Sequence, residues 1–259
     1  MTDYLALARE VGTIARAAGA AILAIYESDD FGVERKADDS PLTRADQAAN
    51  AVIVAGLEAL DFQAPIISEE NAEVPYEQRR QYRRFWLVDP LDGTKEFIKR
   101  NGDFTVNIAL IEGSRPLLGV VYTPVTDELV YGVVGQGAFL AGETETPLRV
   151  ATFIKADPGL KVVASRSHLN EATQAFMDKL NTPEIVSRGS SLKIIELAKG
   201  NAHLYPRLAP TMEWDTGAAQ AVLEAAGGSL IDHETGQPLR YNKEVLRNPH
   251  FVAAANQLS

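Results

Sequence analysis

Two aspartates, Asp89 and Asp92, lie three positions apart in the hexapeptide Asp-Pro-Leu-Asp-Gly-Thr, directly after the apolar run of residues 85–88. A turn between them would direct both carboxylates to one point. Hard divalent ions such as Mg²⁺ bind carboxylate and carbonyl oxygens, so the two acids and the carbonyl of Leu91 could share one or two ions. The alternative is an ordinary turn, in which Asp92 and Gly93 serve only the backbone geometry. The hexapeptide favours the metal site.

The residues that follow these acids could bind an anion. Gly93 and Thr94 are expected to begin a helix, and the backbone N–H groups at a helix start bind phosphate well. A divalent cation beside that phosphate would neutralise the charge that makes a phosphomonoester resist hydroxide. It would also lower the pKa of a bound water. The pattern therefore indicates metal-assisted phosphoryl chemistry.

Three further acids are candidate ligands or catalytic groups, and each also has a simpler explanation. Asp215 precedes an Ala-rich helical segment and, taken alone, is better explained as a helix cap. Glu69 ends a short apolar run, where an exposed loop acid is the commonest explanation. Asp46 follows Thr43 at the spacing of a capping box, and an acid in a first helical turn interacts favourably with the helix dipole. The residues alone leave these alternatives open.

The composition restricts the partners and the metal ligands. The 259 residues include 25 Lys and Arg against 35 Asp and Glu, a net charge of −10, and such a surface repels nucleic-acid polymers. Because the chain has no Cys, it can form no disulfide and no thiolate metal site. Only four His are present, so oxygen ligands are favoured.

The N-terminal residues do not resemble a secretion signal. Arg9, Glu10 and Arg16 interrupt the Ala-rich stretch, and no apolar run reaches transmembrane length. We therefore expect a soluble, intracellular protein.

The first half of the chain contains the elements that must position the acids. Apolar residues recur every three or four positions over residues 5–25, which predicts a helix with one buried face. After a predicted loop at residues 31–42, a second helix begins near Thr43. Residues 85–88 are apolar at every position, as in a strand covered on both faces. The short separations between the other strands imply antiparallel pairing. These strands are predicted at residues 104–111, 119–122, 128–133 and 137–140. A further short strand is predicted at residues 65–68.

The second half of the chain alternates between strand and helix patterns after a polar stretch at residues 141–158. Strands are predicted at residues 161–164, 202–205 and, as the last strand, 229–231. Helices are predicted at about residues 171–180, 191–199 and 214–226. Helices first, then a run of strands, then alternating elements indicate a layered α+β fold with a boundary near residue 150.

These motifs resemble those of a known family, the inositol monophosphatase-like phosphatases, which carry an Asp-Pro-Leu/Ile-Asp-Gly-Thr motif and a later Trp-Asp helix start. Both occur here, at residues 89–94 and 214–215. Longer stretches resemble the CysQ-type 3'(2'),5'-bisphosphate nucleotidases within that family, and the likeness covers nearly the whole chain. These stretches are residues 68–70, 86–102, 165–168, 189–193 and 204–207.

The resemblance implies a fold and two lobes that contribute different residues to the site. The expected architecture is the layered αβαβα sandwich of the inositol monophosphatase and fructose-1,6-bisphosphatase type. An N-terminal lobe, residues 1–150, would hold the antiparallel sheet and most metal ligands. A C-terminal lobe, residues 151–259, would supply Asp215 and the nucleotide contacts.

The resemblance also implies roles for individual residues. Two or three Mg²⁺ ions would be held by Glu69, Asp89, the Leu91 carbonyl, Asp92 and Asp215. Thr94, paired with Asp46, would orient the attacking water. Substrate contacts would come from Gly93, Thr94, His168, Ser190, Lys193, Arg207 and Asp215.

The activity implied by the resemblance is removal of the 3'-phosphate from adenosine 3',5'-bisphosphate, which gives AMP and phosphate. It further implies 3'-phosphoadenylyl sulfate as a second substrate, sensitivity to lithium, a place in sulfur assimilation, and a cytoplasmic location with contact to the inner face of the cell membrane.

Other functions remain open from the residues. An inositol or sugar-phosphate phosphatase would share the metal core. A phosphoaspartate phosphatase has a similar Asp-x-Asp-Gly-Thr motif, but here two residues separate the acids instead of one. A sensor that binds Mg²⁺ and nucleotide without turnover would not require Thr94 and Asp46, and both are present.

Overall fold

A computed structural model of the protein describes residues 2–28, 31–32, 34–35, 41–71, 73–164 and 170–256. The α-helices in these ranges are α1 (Tyr4–Tyr26), α2 (Arg44–Glu58), α3 (Tyr76–Arg79), α4 (Thr94–Ile98), α5 (Glu171–Met177), α6 (Leu192–Ala198) and α7 (Trp214–Ala225). The strands of the first half are β1 (Glu34–Arg35), β2 (Pro41–Leu42), β3 (Ile66–Ser68), β4 (Arg84–Asp92), β5 (Thr105–Glu112), β6 (Arg115–Thr123), β7 (Glu128–Val133), β8 (Gly137–Leu140) and β9 (Thr146–Leu148). The strands of the second half are β10 (Lys161–Ala164), β11 (Glu184–Ser187), β12 (Leu204–Arg207), β13 (Ser229–Asp232) and β14 (Phe251–Ala254).

A seven-stranded sheet in the order β3-β4-β5-β6-β7-β8-β9 forms the larger layer. β3 and β4 are parallel, and the other neighbours are antiparallel, which confirms the predicted pairing. In β4, Phe85 and Leu87 lie in one hydrophobic cluster, whereas Trp86 and Val88 lie in another on the opposite face. The strand is apolar at every position there because both of its faces are covered.

The five layers are stacked in the order expected for an αβαβα sandwich. α1 and α2 cover one face of the seven-stranded sheet, and α6 and α7 pack on its other face. A second sheet, in the order β11-β10-β12-β14-β13, lies beyond α6 and α7. Its far face packs around Met177 of α5. The predicted fold class is confirmed.

The first helix shows how the sequence pattern becomes buried surface. Leu7, Val11, Ala15 and Ile22 repeat at helical spacing and are all buried against the sheet. The Asp3 carboxylate accepts the N–H groups of residues 5 and 6 and so caps the helix start.

A close approach between β6 and α7 fixes the helix that carries Asp215. A methyl group added at Gly119 of β6 would lie 2.0 Å from the carbonyl oxygen of Ala218. No side chain fits at that separation. Glycine at this position therefore lets α7 rest directly on the sheet that also carries Asp89 and Asp92.

Several boundaries differ from the sequence predictions. The strand at residues 85–88 continues to Asp92, and residues 229–231 are not the last strand, because β14 follows and pairs between β12 and β13. β1 and β2 lie within the predicted loop, and β9 lies within the polar stretch. β11 was not predicted, since it is an edge strand with half-exposed residues and no strong alternation.

The division near residue 150 stays a prediction. The hydrophobic cluster between the two sheets contains residues from both sides of that position, including Leu87 and Val222. Among the helices in the described ranges, none has the length and hydropathy needed to cross a bilayer.

Candidate active site

An irregularity in β4 brings the two acids of the hexapeptide to the same side. Asp89 pairs with Asn107 of β5 and Asp92 pairs with Thr105, so three steps along β4 match two steps along β5. In a regular strand, residues three apart point to opposite faces. The extra residue is a β-bulge, which reverses the alternation and aims both carboxylates at one point. The Leu91 N–H donates to Asp89 Oδ1 at 3.1 Å and closes the turn.

Asp215 joins these acids from the start of α7. One carboxylate oxygen each from Asp89, Asp92 and Asp215 lies within 4.8 Å of the others. Asp215 Oδ2 also accepts the backbone N–H of Met212 at 2.8 Å, just before the helix. The capping explanation is wrong, because Glu213 is the residue at the cap position of α7 and Asp215 accepts an N–H that precedes the helix. The ligand explanation stays a prediction, and the carboxylate faces the other two acids.

Glu69 approaches from the neighbouring strand. Its N–H donates to the carbonyl of Val88 at 3.1 Å, which continues the parallel pairing of β3 and β4. Its negative charge is one cause of the raised pKa of Asp89. Glu69 therefore lies on the side of the acidic cluster, although it is not one of the three acids within 4.8 Å of each other.

Burial and mutual repulsion dominate the electrostatics of the cluster. Burial, followed by the charge of Glu69, raises the pKa of Asp89 well above its usual value. Burial and the neighbouring Asp92 raise the pKa of Asp215 to about 8. Burial raises the pKa of Asp92 to about 6, against the opposing effects of Lys193 and the Ser191 N–H. Buried acids that repel one another and offer only oxygen atoms suit a hard divalent cation, so the residues fit the expected metal.

Asp46 uses its two oxygens for two purposes. Its Oδ2 accepts the backbone N–H of Thr43 at 2.7 Å and completes the capping box of α2. Its Oδ1 accepts the hydroxyl of Thr94 at 3.3 Å. The capping box is confirmed, and the capped helix start holds the carboxylate that Thr94 contacts. The catalytic role of this pair stays a prediction.

Gly93 turns the chain from the acids into α4. Its φ of +98° lies in the left-handed region, and an added Cβ would lie 3.1 Å from the carbonyl oxygen of Asp103. A larger residue would be strained by the backbone angle and crowded by that neighbour. The predicted helix start after Gly93 is confirmed by α4, which begins at Thr94.

A cleft of about 460 Å³ opens beside Asp92 and Asp215. The predicted substrate residues that line it are Gly93, Ser190, Lys193, Arg207 and Asp215, and the predicted metal ligand Asp92 lines it as well. Thr94, also predicted to contact substrate, is not among the lining residues. Asn170, Tyr205 and Thr211 also line it and were not predicted, because isolated polar and aromatic residues give no motif. His168 lies outside the described residues.

Two cations face this cleft from the second sheet and α6. Lys193 Nζ donates to the carbonyl of Ser190 at 2.9 Å, and burial lowers the pKa of the lysine although the charge of Asp92 opposes the change. Arg207 Nη2 donates to the carbonyl of Pro210 at 3.2 Å, whereas its buried Nε has no hydrogen-bond partner among the residues that the structure describes. Arg207 lines the cleft and therefore brings positive charge for an anion there.

Two residues that contact Asp92 were missed by the sequence predictions. Asn107 Nδ2 donates to Asp92 Oδ2 at 3.3 Å, and the Ser191 N–H donates to the same oxygen at 2.6 Å. The available signal was a single Asn inside the apolar run of residues 104–111. A buried amide in a strand needs a polar partner, and that requirement points to a site.

Comparisons with known proteins agree with this geometry. Residues 6–258 match the model of the inositol monophosphatase family. The 3'(2'),5'-bisphosphate nucleotidase CysQ of Salmonella typhimurium is 45% identical over 245 residues, which cover 93% of this chain and 97% of that protein. The crystal structure of CysQ from Bacteroides thetaiotaomicron has a TM-score of 0.85 and 43% identity, covering 96% of this chain and 97% of that one. An inositol monophosphatase from Zymomonas mobilis is 25% identical with a TM-score of 0.77, covering 99% of this chain and 95% of that one.

The family model matches almost the whole chain, and relatives of the same length exceed 40% identity. The chain therefore belongs to the inositol monophosphatase family and, within it, to the CysQ-type 3'(2'),5'-bisphosphate nucleotidases.

Proposed function

We propose that the protein is a Mg²⁺-dependent hydrolase that removes the 3'-phosphate of adenosine 3',5'-bisphosphate, giving AMP and phosphate. The observation that carries the proposal is the convergence of Asp89, Asp92 and Asp215 within 4.8 Å, beside a cleft lined by cations. The names of its relatives support the substrate, since proteins 45% identical over nearly the whole chain are 3'(2'),5'-bisphosphate nucleotidases.

The enzymes of this family depend on metal ions, and we propose Mg²⁺ as the ion here. Its proposed ligands are Glu69, Asp89, the Leu91 carbonyl, Asp92 and Asp215. When bound, such ions neutralise the charge of the phosphate, lower the pKa of a bound water and stabilise the departing oxygen. The protein's part is to hold the acids in place before the substrate arrives, as the β4 bulge and the Met212–Asp215 hydrogen bond do.

Thr94 and Asp46 would hold the attacking water. Because Asp46 Oδ1 accepts the Thr94 hydroxyl proton, the lone pairs of Thr94 Oγ1 can accept a hydrogen bond from water. A water held in one direction reaches the phosphorus in line with the leaving oxygen, which lowers the entropic part of the barrier. No covalent enzyme intermediate is needed in this scheme.

The cations of the cleft would bind the second phosphate of the substrate. Lys193 and Arg207 lie on the side of the cleft supplied by α6 and β12, next to Asp92 and Asp215. An inositol monophosphate has no second phosphate for them. The pair therefore favours a bisphosphate over an inositol or sugar monophosphate, and the same reasoning extends to 3'-phosphoadenylyl sulfate.

Phosphate release from a substrate panel tests the proposal. The panel contains four compounds: adenosine 3',5'-bisphosphate, 3'-AMP, AMP and inositol 1-phosphate. Relative to the bisphosphate, 3'-AMP lacks the 5'-phosphate and AMP lacks the 3'-phosphate. Each compound is assayed with Mg²⁺ and with EDTA. We expect the highest kcat/KM for the bisphosphate, no release from AMP and no release with EDTA. Equal or higher kcat/KM for inositol 1-phosphate would overturn the substrate assignment.

Part of the proposal concerns location and regulation. The cytoplasmic location, contact with the inner face of the cell membrane, and sensitivity to lithium stay predictions that rest on the resemblance.

A further inference from the structure

A row of buried polar side chains lies beneath Asp92, where β5 meets the start of α6. Thr105, Asn107 and Ser191 are at most 3% exposed. The hydroxyls of Thr105 and Ser191 lie 2.8 Å apart, Ser191 Oγ donates to Asn107 Oδ1 at 2.9 Å, and Asn107 Nδ2 donates to Asp92 Oδ2 at 3.3 Å. Three uncharged side chains therefore lead, one hydrogen bond after another, to a carboxylate of the acidic cluster.

The carboxylate fixes the direction of donation along this row. An ionised carboxylate only accepts hydrogen bonds, so Asn107 must present its NH₂ group to Asp92 and its oxygen to Ser191. Ser191 then uses its one proton on Asn107. Its oxygen is left to accept the proton of Thr105 at 2.8 Å, a shorter contact than the 3.5 Å from the Thr105 hydroxyl to Ser190 Oγ.

Two elements from different layers, β5 and the start of α6, hold Asp92 at this point. The Ser191 backbone N–H donates to Asp92 Oδ2 at 2.6 Å, so this oxygen accepts from β5 and from the turn that begins α6. That turn carries Ser190, whose φ of +41° is unusual for a residue with a side chain. Oδ2 of Asp92 is thus held twice, while none of these bonds uses Oδ1.

We propose that Asn107, Ser191 and Thr105 are positioning residues that hold Asp92 Oδ2 through a directed row of hydrogen bonds and so aim Oδ1 at the metal. The inference rests on the proposed metal-dependent function. Outer partners of metal ligands orient them, and their loss commonly costs about 10–100-fold in metal affinity or activity. If the row only filled the core, its removal would lower stability without changing the affinity for Mg²⁺.

The proposal predicts graded effects. Asn107→Leu removes the donor to Asp92 at similar volume, and we expect the Kd for Mg²⁺, measured by calorimetry without substrate, to rise about 10–100-fold. Ser191→Ala frees the Asn107 amide to flip and should raise the Kd less. Thr105→Val, two bonds further from Asp92, should raise it least. Asn201→Leu is the matched control, because Asn201 Nδ2 donates to the Glu196 carboxylate at 2.9 Å outside the metal site.

A double variant tests whether the row acts as one unit. If Ser191 acts through Asn107, then Ser191→Ala combined with Asn107→Leu should bind Mg²⁺ no more weakly than Asn107→Leu alone.

Equal Kd values, within twofold, for the unmodified protein, Asn107→Leu and Asn201→Leu would overturn the inference. Should Asn107→Leu not fold, an unchanged Kd in both Ser191→Ala and Thr105→Val would overturn it equally. An unmodified protein that binds no Mg²⁺ would overturn the proposed function as well, whereas normal binding with unaffected variants would overturn the row alone.

Discussion

The Thr94 hydroxyl donates to Asp46 Oδ1 at 3.3 Å, although the two residues lie on different helices and are 48 positions apart. Asp46 is buried and is fixed by the N–H of Thr43 through its other oxygen. The capping box of α2 therefore has a second consequence, because it fixes one of the two acceptors, Asp46 Oδ1 and the Leu91 carbonyl at 3.4 Å, within reach of the Thr94 hydroxyl. A hydroxyl oriented in this way can hold a water beside the acidic cluster.

Replacement of Thr94 by Val should lower kcat while the fold and the affinity for Mg²⁺ persist. Valine keeps the shape of the side chain but removes the oxygen that would hold the water, and positioned proton-transfer groups contribute about 10²–10⁴-fold. Thr94→Ser keeps the hydroxyl and should retain most of the rate. Steady-state phosphate release, with calorimetry for Mg²⁺, measures both effects. A Val variant with normal kcat would remove Thr94 from the mechanism.

Asp92→Asn should abolish hydrolysis without lowering the stability of the metal-free protein. The substitution removes one of several repelling charges from a buried cluster, so the metal-free Tm should stay equal or rise, while the rise in Tm on adding Mg²⁺ should shrink. Thermal unfolding with and without Mg²⁺ reports both changes. Asp61→Asn, at an exposed position, is the control. Near-normal turnover in Asp92→Asn would contradict its assignment as a ligand.

A layered α+β fold and the acidic pair Asp89 and Asp92 could be predicted from the residues because both leave local patterns. The αβαβα order and the roles of Glu69 and Asp215 were implied only by the family resemblance. The period of α1, the apolar run of β4 and the hexapeptide after it are visible within a few residues. What could not be predicted depends on long-range pairing. The contact of Asn107 with Asp92 requires the bulge in β4, and a bulge gives no signal in hydrophobic spacing.

The strands that the sequence did not predict also depend on long-range pairing. β14 is buried at every position, but it is four residues long and follows a polar segment, so only its pairing between β12 and β13 defines it as a central strand. The position of Asp215 likewise depends on long-range packing. Its local surroundings favoured a cap, but Glu213 takes the cap position of α7, and the packing of α7 on Gly119 places the Asp215 carboxylate beside Asp89.

Arg207→Gln should weaken binding of the bisphosphate and leave 3'-AMP unaffected. Arg207 lines the cleft, and a hydrogen bond from its guanidinium to a phosphate is a bond between charged groups, worth about 1.5–3 kcal/mol, or roughly 10–100-fold in KM. Arg207→Lys keeps the positive charge but lacks the planar set of N–H donors of a guanidinium. Its KM for the bisphosphate should therefore lie between those of the unmodified protein and Arg207→Gln. An equal rise in KM for both nucleotides would show that Arg207 does not contact the 5'-phosphate.

The metal-free protein should lose stability as the pH rises from about 4 to 8. The pKa of Asp215 is raised from 3.8 to about 8 and that of Asp92 to about 6, so these two groups bind more protons in the folded state than in the unfolded state within this window. Their contribution to stability is therefore complete below pH 3.8 and is lost as the pH rises through the folded-state values. Each kcal/mol lost should lower Tm by roughly 2–4 °C for a chain of this size.

The lowered pKa of His203 has the opposite effect, because it makes stability rise with pH. The change in Tm with pH must therefore be compared between two proteins that both contain this histidine. Asp215→Asn keeps an oxygen for the Met212 N–H but removes the titrating group, and its Tm should fall less between pH 5 and 8 than that of the unmodified protein. Mg²⁺ should raise Tm more at pH 8 than at pH 5, because the ion binds only deprotonated acids. Parallel Tm profiles for the unmodified protein and Asp215→Asn would show that repulsion among the buried acids does not set the pH dependence.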